Sequence, residues 1–507
     1  MNGKPLGGSI NVDLEKLSRR ANIFLPVIFI ASVYLSLRHS YYWSPLALTL
    51  FILNAHNIYY LYIQREHALL TNFGLMAQIR YILESIGPEF RQYLFLNDTE
   101  ERPFNRVQRS EIYKKSKGDT NTEAFGSRKD HSYGEIKLRH SMYPKSEDTI
   151  EEFSLLIGHS RRVKKPYTLK NPFMISGMSY GSISSKAIRA LARGAKKSGV
   201  IMNTGEGGFP KYHLMEDCDI IFQLGTGKFG ARNDDATLNE EKLKEIAALD
   251  QIKMIELKFS QGAKPGKGGL LPKEKINDEI AKLRGVPKGK DVVSPAYHKE
   301  CIDAPSTVTF IKRVQDLCGK PVGIKLCIGK VNEFESLIVE MKKQDCFPDY
   351  ISIDGSEGGT GAAPVTFMDD VGTPIMQALP IVHSTLKRHQ VRDKVRLFAA
   401  GKLTSPGKHF MALALGADAV YSARAFMLAI GCIQALQCNR NSCPVGIATH
   451  KKHLQRGLDV EVKSDRVQNF IEAMNKEHKE LLVSLGKTSM HDLNESDILS
   501  HYKFHDT

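Results

Sequence analysis

Tyr350-Ile351-Ser352-Ile353-Asp354-Gly355-Ser356-Glu357-Gly358-Gly359-Thr360-Gly361-Ala362 shows the organisation of the chain in miniature. A short β-type run passes directly into a glycine cluster, and a helical pattern follows. From residue 172 onward the same alternation recurs. The candidate strands are 172–176, 201–203, 220–223, 254–258, 322–327, 350–353, 396–400 and 419–422, the third being the weakest. Strands alternating with helices predict parallel βα units, and eight of them predict an α/β protein, a (β/α)8 TIM barrel.

Glycine clusters follow three further strands. They are Ser176-Gly177-Met178-Ser179-Tyr180-Gly181, Thr204-Gly205-Glu206-Gly207-Gly208 and Gln261-Gly262-Ala263-Lys264-Pro265-Gly266-Lys267-Gly268-Gly269. One such cluster reads as a tight turn. Four at the C-terminal ends of barrel strands read as a ligand face, because active sites of barrels lie there and glycine lets the backbone approach a flat ring or a phosphate closely. The last two strands lead into Gly401-Lys402-Leu403 and Ser422-Ala423-Arg424-Ala425-Phe426, the usual position of a barrel's phosphate cradle. Arg424 has two readings, a phosphate partner or the partner of a structural carboxylate. No Walker-type loop and no G-x-G-x-x-G between strand and helix is present, so neither a nucleoside triphosphate nor a bound NAD domain is supported.

The chain has 507 residues, 42% of them hydrophobic, ample for a barrel core with additions. Its formal charge of +14 is spread without a Lys/Arg block or a basic–aromatic stripe, so no nucleic-acid partner is expected. An anionic membrane surface or anionic substrates account for the excess. Cys218, Cys301, Cys318, Cys327 and Cys346 are scattered and read as inert thiols of a reducing compartment. Cys432, Cys438 and Cys443, spaced C-x5-C-x4-C before Pro444, suit an iron–sulfur cluster better than zinc, which wants four ligands. By spacing alone, three buried cysteines on a helix and its following loop remain the alternative.

Near the start, residues 21–37 and 41–63 are apolar runs flanked by Lys16, Arg19 and Arg20 before and by Arg65 and Arg80 after. Asn54, His56 and Asn57 interrupt the second run, and Tyr41, Tyr42 and Trp43 mark an interfacial joint. The expectation is a membrane hairpin with the catalytic body on the cytoplasmic side, by the positive-inside rule. A secretory signal and a soluble helical hairpin are the alternatives. The predicted organisation is a hairpin over 1–68, a connecting region packed on the barrel over 69–165, the barrel with its cysteine loop over 166–455, and a C-terminal helical extension over 456–507.

Residues 171–449 resemble the FMN-binding synthase domain of glutamate synthases. The resemblance rests on Gly177-Met178-Ser179-Tyr180-Gly181, Asn203-Thr204-Gly205-Glu206-Gly207-Gly208, Gln261-Gly262-Ala263-Lys264-Pro265-Gly266, Gly358-Gly359-Thr360-Gly361-Ala362-Ala363-Pro364 and Cys443-Pro444-Val445-Gly446-Ile447-Ala448-Thr449. Arg102-Pro103-Phe104-Asn105-Arg106, Phe125-Gly126 and the hairpin resemble the short, stand-alone, membrane-anchored branch of that family.

The resemblance implies FMN and a 3Fe–4S cluster held by Cys432, Cys438 and Cys443. In full glutamate synthases, ammonia and 2-oxoglutarate give 2-iminoglutarate, which is reduced to L-glutamate. Carried over, Met178 and Ser179 line the flavin through their backbone. Gly401, Lys402, Ala423 and Arg424 hold its phosphate, and Lys258, Gln261 and Lys325 face the ring, where a cation stabilises the reduced form. Gly177, Asn203, Gly355, Gly358 and Gly359 complete the cofactor set. A lysine at a strand end reads equally as half of a structural salt bridge. Glu206 and Glu357, with Lys325, are the catalytic candidates; glycine-flanked carboxylates also serve as turn or helix caps. His298 lies where the family carries a histidine-rich segment, and His383 reads as structural.

Three departures qualify the resemblance. The chain begins Met1-Asn2-Gly3, so no glutaminase domain is expected and ammonia comes from solution or a partner. Asp369 and Asp370 stand where a Lys-His pair is expected, which disfavours a dianionic 2-oxo acid if they face the mouth. Lys267 stands where an acidic residue is expected. The expected partners are therefore a 2-oxo acid with ammonia or an amine, an electron donor such as ferredoxin or a membrane quinol, and the membrane. The alternatives are an oxidoreductase acting on another amine or an N-alkyl glutamate, and a non-enzymatic redox-sensing membrane module.

Overall fold

A computed structural model describes residues 14–119, 122–129, 136–158 and 162–499. The chain divides into two compact units, Met1–Arg106 and Val107–Thr507.

The second unit is built on a closed barrel of parallel strands: β1 (Phe173–Ile175), β2 (Met202–Asn203), β3 (Ile220–Leu224), β4 (Ile252–Lys258), β5 (Val322–Leu326), β6 (Tyr350–Asp354), β7 (Arg396–Ala400) and β8 (Ala419–Ser422). All eight predicted strands are present. The third, Ile-Ile-Phe-Gln-Leu, is buried at every position, as a parallel strand covered on both faces should be. Closure comes from β8 pairing with β1, Val420 beside Phe173. Between β4 and β5 the register sets Lys325 beside Lys258, so both ammonium groups start from the same end of the barrel.

Met174, Met254, Tyr350, Phe398 and Tyr421 share one buried cluster with Leu155, Ile157 and Leu169 of an antiparallel pair, Leu155–Ile157 with Tyr167–Leu169. The helix Val460–Leu485 docks against the helix Ser185–Ser198, where a Cβ on Gly194 would stand 2.4 Å from Val467 Cβ. Ion pairs reinforce the contact, Arg193 to Glu461 at 2.5 Å and Lys197 to Asp465 at 2.7 Å. Lys115, 1% exposed, bonds Glu111 and Glu477 at 2.8 Å each and ties the helix Arg106–Lys117 to the same C-terminal helix.

In the first unit, helices Leu14–Arg38 and Ser44–Ile58 form a hairpin, the second continuing as a π-turn over Tyr59–Ile63. Arg20–Arg38 and Tyr41–Ile63 are each long and apolar enough to cross a membrane. The amides that interrupt the apolar pattern bond across the hairpin. Asn57 Nδ2 donates to Asn22 Oδ1 at 3.0 Å, and Asn54 Nδ2 to the Leu25 carbonyl at 3.3 Å. Paired amides are the form in which polar groups are tolerated between apolar helices.

Candidate active site

The loops after β2, β4, β6, β7 and β8 meet at the C-terminal end of the barrel. Two of them touch so closely that a side chain has no room: a Cβ on Gly262 would stand 1.8 Å from the Gly355 carbonyl oxygen. The Gly262 N–H donates to Asp354 Oδ2 at 2.9 Å, and the same oxygen lies 3.6 Å from Lys325 Nζ. Lys325 also sits over the Tyr421 ring, 5.8 Å from its centre.

Lys258 Nζ donates to Glu206 Oε1 at 2.6 Å and to Gln261 Oε1 at 2.8 Å, so β2, β4 and the β4 loop converge on one ion pair. Burial pushes the Glu206 carboxyl up, but Lys258, and beyond it Arg284 and Lys264, outweigh burial and hold it below the ordinary value. Two cations join this site that the sequence reading did not single out. Burial and repulsion by Lys258 push Lys264 down to about 8, with Glu206 opposing. Burial pushes Arg284 down to about 10, again against Glu206. Arg284 donates to the Tyr180 carbonyl at 3.1 Å and approaches Ser179 Oγ at 3.5 Å, while its Nε is buried without a partner. Lys264 lies inside a glycine cluster and was open to recognition. Arg284 ends a helix, Asp278–Arg284, that no motif marks.

Below the mouth lies a second layer of polar residues. Glu256, fully buried, accepts from Asn203 at 2.8 Å, Gln223 at 2.7 Å and Tyr421 at 3.2 Å. Asn203 Oδ1 takes the Gly205 N–H at 2.9 Å, so this side chain shapes the β2 loop from inside the barrel. Gln223 and Glu256 were readable as polar residues in apolar strands; their meeting depends on barrel register.

Glu357 occupies a different setting. Its carboxylate receives the Ile375 N–H at 3.0 Å, at the start of the helix Ile375–Arg388. Burial pushes its carboxyl up against that bond. Arg424 donates to the Glu357 backbone carbonyl, linking the β8 and β6 loops. Gly359 lies against Arg424, Gly358 against Ala263, and Gly401 against Ile375. Lys402 is left-handed at φ 52°, and just beyond it the Leu403 carbonyl accepts from Ser422 Oγ at 3.0 Å, which joins the β7 loop to the end of β8. Gly177 faces Asn203, and the Met178 carbonyl accepts from His213 at 3.1 Å. His298 is buried with Nε2 3.0 Å from the Lys258 carbonyl, behind the site, and His383 accepts from Arg392 at 3.1 Å. Asp369 and Asp370 are exposed at the end of the short helix Val365–Asp370, and Lys267 Nζ lies 5.4 Å from the Phe367 ring centre.

Cys432, Cys438 and Cys443 lie on one loop within electrostatic reach of one another. Burial pushes the Cys432 thiol up to about 12, and the other two thiols add to the rise. All eight cysteines are free. Among the described residues no three His, Cys, Asp or Glu side chains converge tightly enough for a single metal ion. The loop is anchored by Tyr113, whose hydroxyl donates to the Cys432 carbonyl at 2.6 Å, and by Asn441, which donates to the Glu274 carbonyl at 2.6 Å. Lys275, 3% exposed, donates to the Cys438 carbonyl at 3.1 Å.

A charged, largely buried site at the strand ends of a (β/α)8 barrel defines a barrel enzyme. Residues 103–488 match the conserved region in glutamate synthase, and the chain belongs to that family. It is a glutamate synthase-like oxidoreductase. It is 40% identical over 446 residues to the glutamate synthase large subunit-like protein YerD of Bacillus subtilis, covering 80% of this chain and 85% of that one. It is 39% identical over 327 residues to the archaeal glutamate synthase [NADPH] of Methanocaldococcus jannaschii, covering 64% of this chain and 61% of that protein. A solved flavocytochrome b2 mutant is similar at a TM-score of 0.46 and 15% identity over 78% of each chain, too distant to bear on function.

Proposed function

We propose that the chain reduces the imine formed from 2-oxoglutarate and ammonia to L-glutamate, using FMN and a 3Fe–4S cluster. The observation that carries this reading is the charge balance around Glu206. Lys258 bonds Glu206 at 2.6 Å, and Lys264 and Arg284 lie within electrostatic reach of the same carboxylate. Buried charge without a counter-ion is costly, and a dicarboxylate supplies the missing negative charge. The exposed Asp369 and Asp370 do not offset this balance from inside the site.

The residues present fit the two redox groups. Glycines at the strand ends let the loop backbones approach one another where a side chain would collide, which supports a flat ring bound beside Lys258 and Lys325, with Gly401, Lys402, Ala423 and Arg424 holding its phosphate. Three thiols on one loop match the donors of a cluster. When bound, FMN supplies hydride transfer to the imine carbon and the cluster supplies electrons one at a time. Lys258 orients the substrate's negative end and fixes Glu206 in its ionised form. In that form Glu206 accepts a proton as ammonia adds to the 2-oxo acid. The electron donor is a ferredoxin-like protein or a membrane quinol, and ammonia comes from solution or a partner. The hairpin anchors the protein in a membrane with the barrel on the cytoplasmic side, supported by the flanking basic residues and by the two apolar helices.

The test is anaerobic. Protein purified in detergent and reduced is mixed with 2-oxoglutarate and ammonium, and flavin reoxidation is followed with glutamate assayed. Reoxidation that needs both reagents and yields glutamate is expected. A flavin that stays reduced with both present overturns the substrate assignment.

A further inference from the structure

The 3-10 turn Lys273–Lys275 lies in the long insertion between β4 and β5, far in sequence from the cysteine loop, yet it is docked to that loop at two points. The Glu274 carbonyl accepts from Asn441, and Lys275 Nζ donates to the Cys438 carbonyl at 3.1 Å. The same ammonium donates to the Ser182 carbonyl. Ser182 in turn bonds back to Ser179, its hydroxyl to the Ser179 carbonyl at 2.7 Å and its N–H to the same oxygen at 3.1 Å. One buried cation thus bridges the loop that carries the thiols and the β1 loop that carries Met178 and Ser179.

The environment of this lysine is unusual for a buried cation. At 3% exposure its hydrogen-bond partners are two carbonyl oxygens, and among the described residues no carboxylate stands within ion-pair distance of it. A buried ammonium is normally matched by an anion. Three cysteine thiols on the adjoining loop become anionic when they bind iron, and a thiolate-bound cluster then supplies the missing negative charge.

We propose that Lys275 is the positioning residue that sets the reduction potential of the cysteine-borne cluster. The inference rests on the reading that Cys432, Cys438 and Cys443 hold an iron–sulfur cluster. In the step concerned, the cluster takes one electron from the ferredoxin-like or quinol donor. One unit of negative charge is added, with no bond made or broken, and Lys275 keeps its proton in both states. A fixed cation beside the cluster favours the more negative, reduced form, so it raises the potential. Charge and hydrogen bonding around the sulfurs are among the terms that tune such centres.

The test compares the wild-type protein with Lys275→Met, Lys275→Gln and Lys275→Arg, purified anaerobically as full chains. Iron and sulfide content and the paramagnetic signal establish the cluster first; the potential is then read by redox titration. Lys275→Met is expected to lower the potential so that the one-electron equilibrium shifts about tenfold toward the oxidised cluster, about 59 mV. Lys275→Gln, which keeps a donor for one carbonyl and lacks the charge, is expected to shift it in the same direction, and carries the test if the methionine variant does not fold. Lys275→Arg is expected to stay within about twofold of wild type. Iron-loaded Met and Gln variants that titrate with the wild-type potential overturn the role of Lys275 and leave the cluster standing. A wild-type protein without thiolate-bound iron overturns the cluster reading itself, and the role of Lys275 with it.

Discussion

Glu206 and Glu357 occupy matching places in the barrel, each after a β-strand and each beside glycine, yet the fold gives them opposite surroundings. Glu206 meets Lys258 at 2.6 Å and is held ionised by cations from three segments. Glu357 meets the backbone N–H of Ile375 at a helix start, and burial pushes its carboxyl up. The first is a counter-ion within a charged pocket; the second is a helix cap that shapes the β6 loop. Local sequence treats them alike, and the difference lies in what arrives from elsewhere in the chain.

The most severe break of this contrast is Glu206→Gln. Lys258 would lose its counter-ion, costing about 3 kcal/mol as expected for half of a buried pair, and glutamate formation should fall about 100-fold or more. Thermal unfolding and single-turnover flavin reoxidation read the two effects. Wild-type turnover in this variant would remove Glu206 from the chemistry.

Glu357→Ala should cost about 1 kcal/mol, the usual value of a lost helix-start acceptor. Its activity loss should be smaller than that of Glu206→Gln, because its side chain acts on a loop. Melting temperature and turnover, measured together, check the ranking.

The pH dependence of stability should have opposite sign at the two sites. Glu206, held below its ordinary value of about 4.3, contributes stability above that value, and this is lost as pH falls through its folded value. Glu357, pushed up, contributes stability below the ordinary value, and this is lost as pH rises through its folded value. Relative to wild type, Glu206→Gln should therefore be most destabilised at neutral pH, whereas Glu357→Gln should compare best with wild type there. Melting curves across the acid range test this, and parallel profiles for the two variants would erase the distinction.

The smallest effect is expected at Asp369 and Asp370. Reversing both charges, Asp369→Lys with Asp370→His, should strengthen 2-oxoglutarate binding by less than about threefold, because exposed charges are screened by water and salt. A much larger gain, read by titration of the oxidised protein, would place both residues in the substrate's field.

The barrel was legible because parallel strands covered on both faces read as apolar runs ended by turns, as Ile220–Leu224 does. The lysines at the ends of β4 and β5 were legible for the same reason, since strand ends mark the ligand face. Arg284 and Lys275 were not. They reach their positions through the insertion between β4 and β5, which folds back over the β1 loop and the cysteine loop, and no local period encodes such a return. The hairpin shows the converse: Asn54 and Asn57 look like flaws in an apolar run until each meets its partner on the facing helix.

By itself the sequence determined the number and order of the barrel strands, the glycine clusters at their ends, the three clustered thiols and the family. These depend on residue type and spacing along the chain. Tertiary structure alone decided which glycine-flanked carboxylate is a counter-ion, which lysines lack one, and what stands beside the thiols. Proton affinity and charge compensation depend on distances through space, and the groups that set them lie up to hundreds of residues apart in the chain.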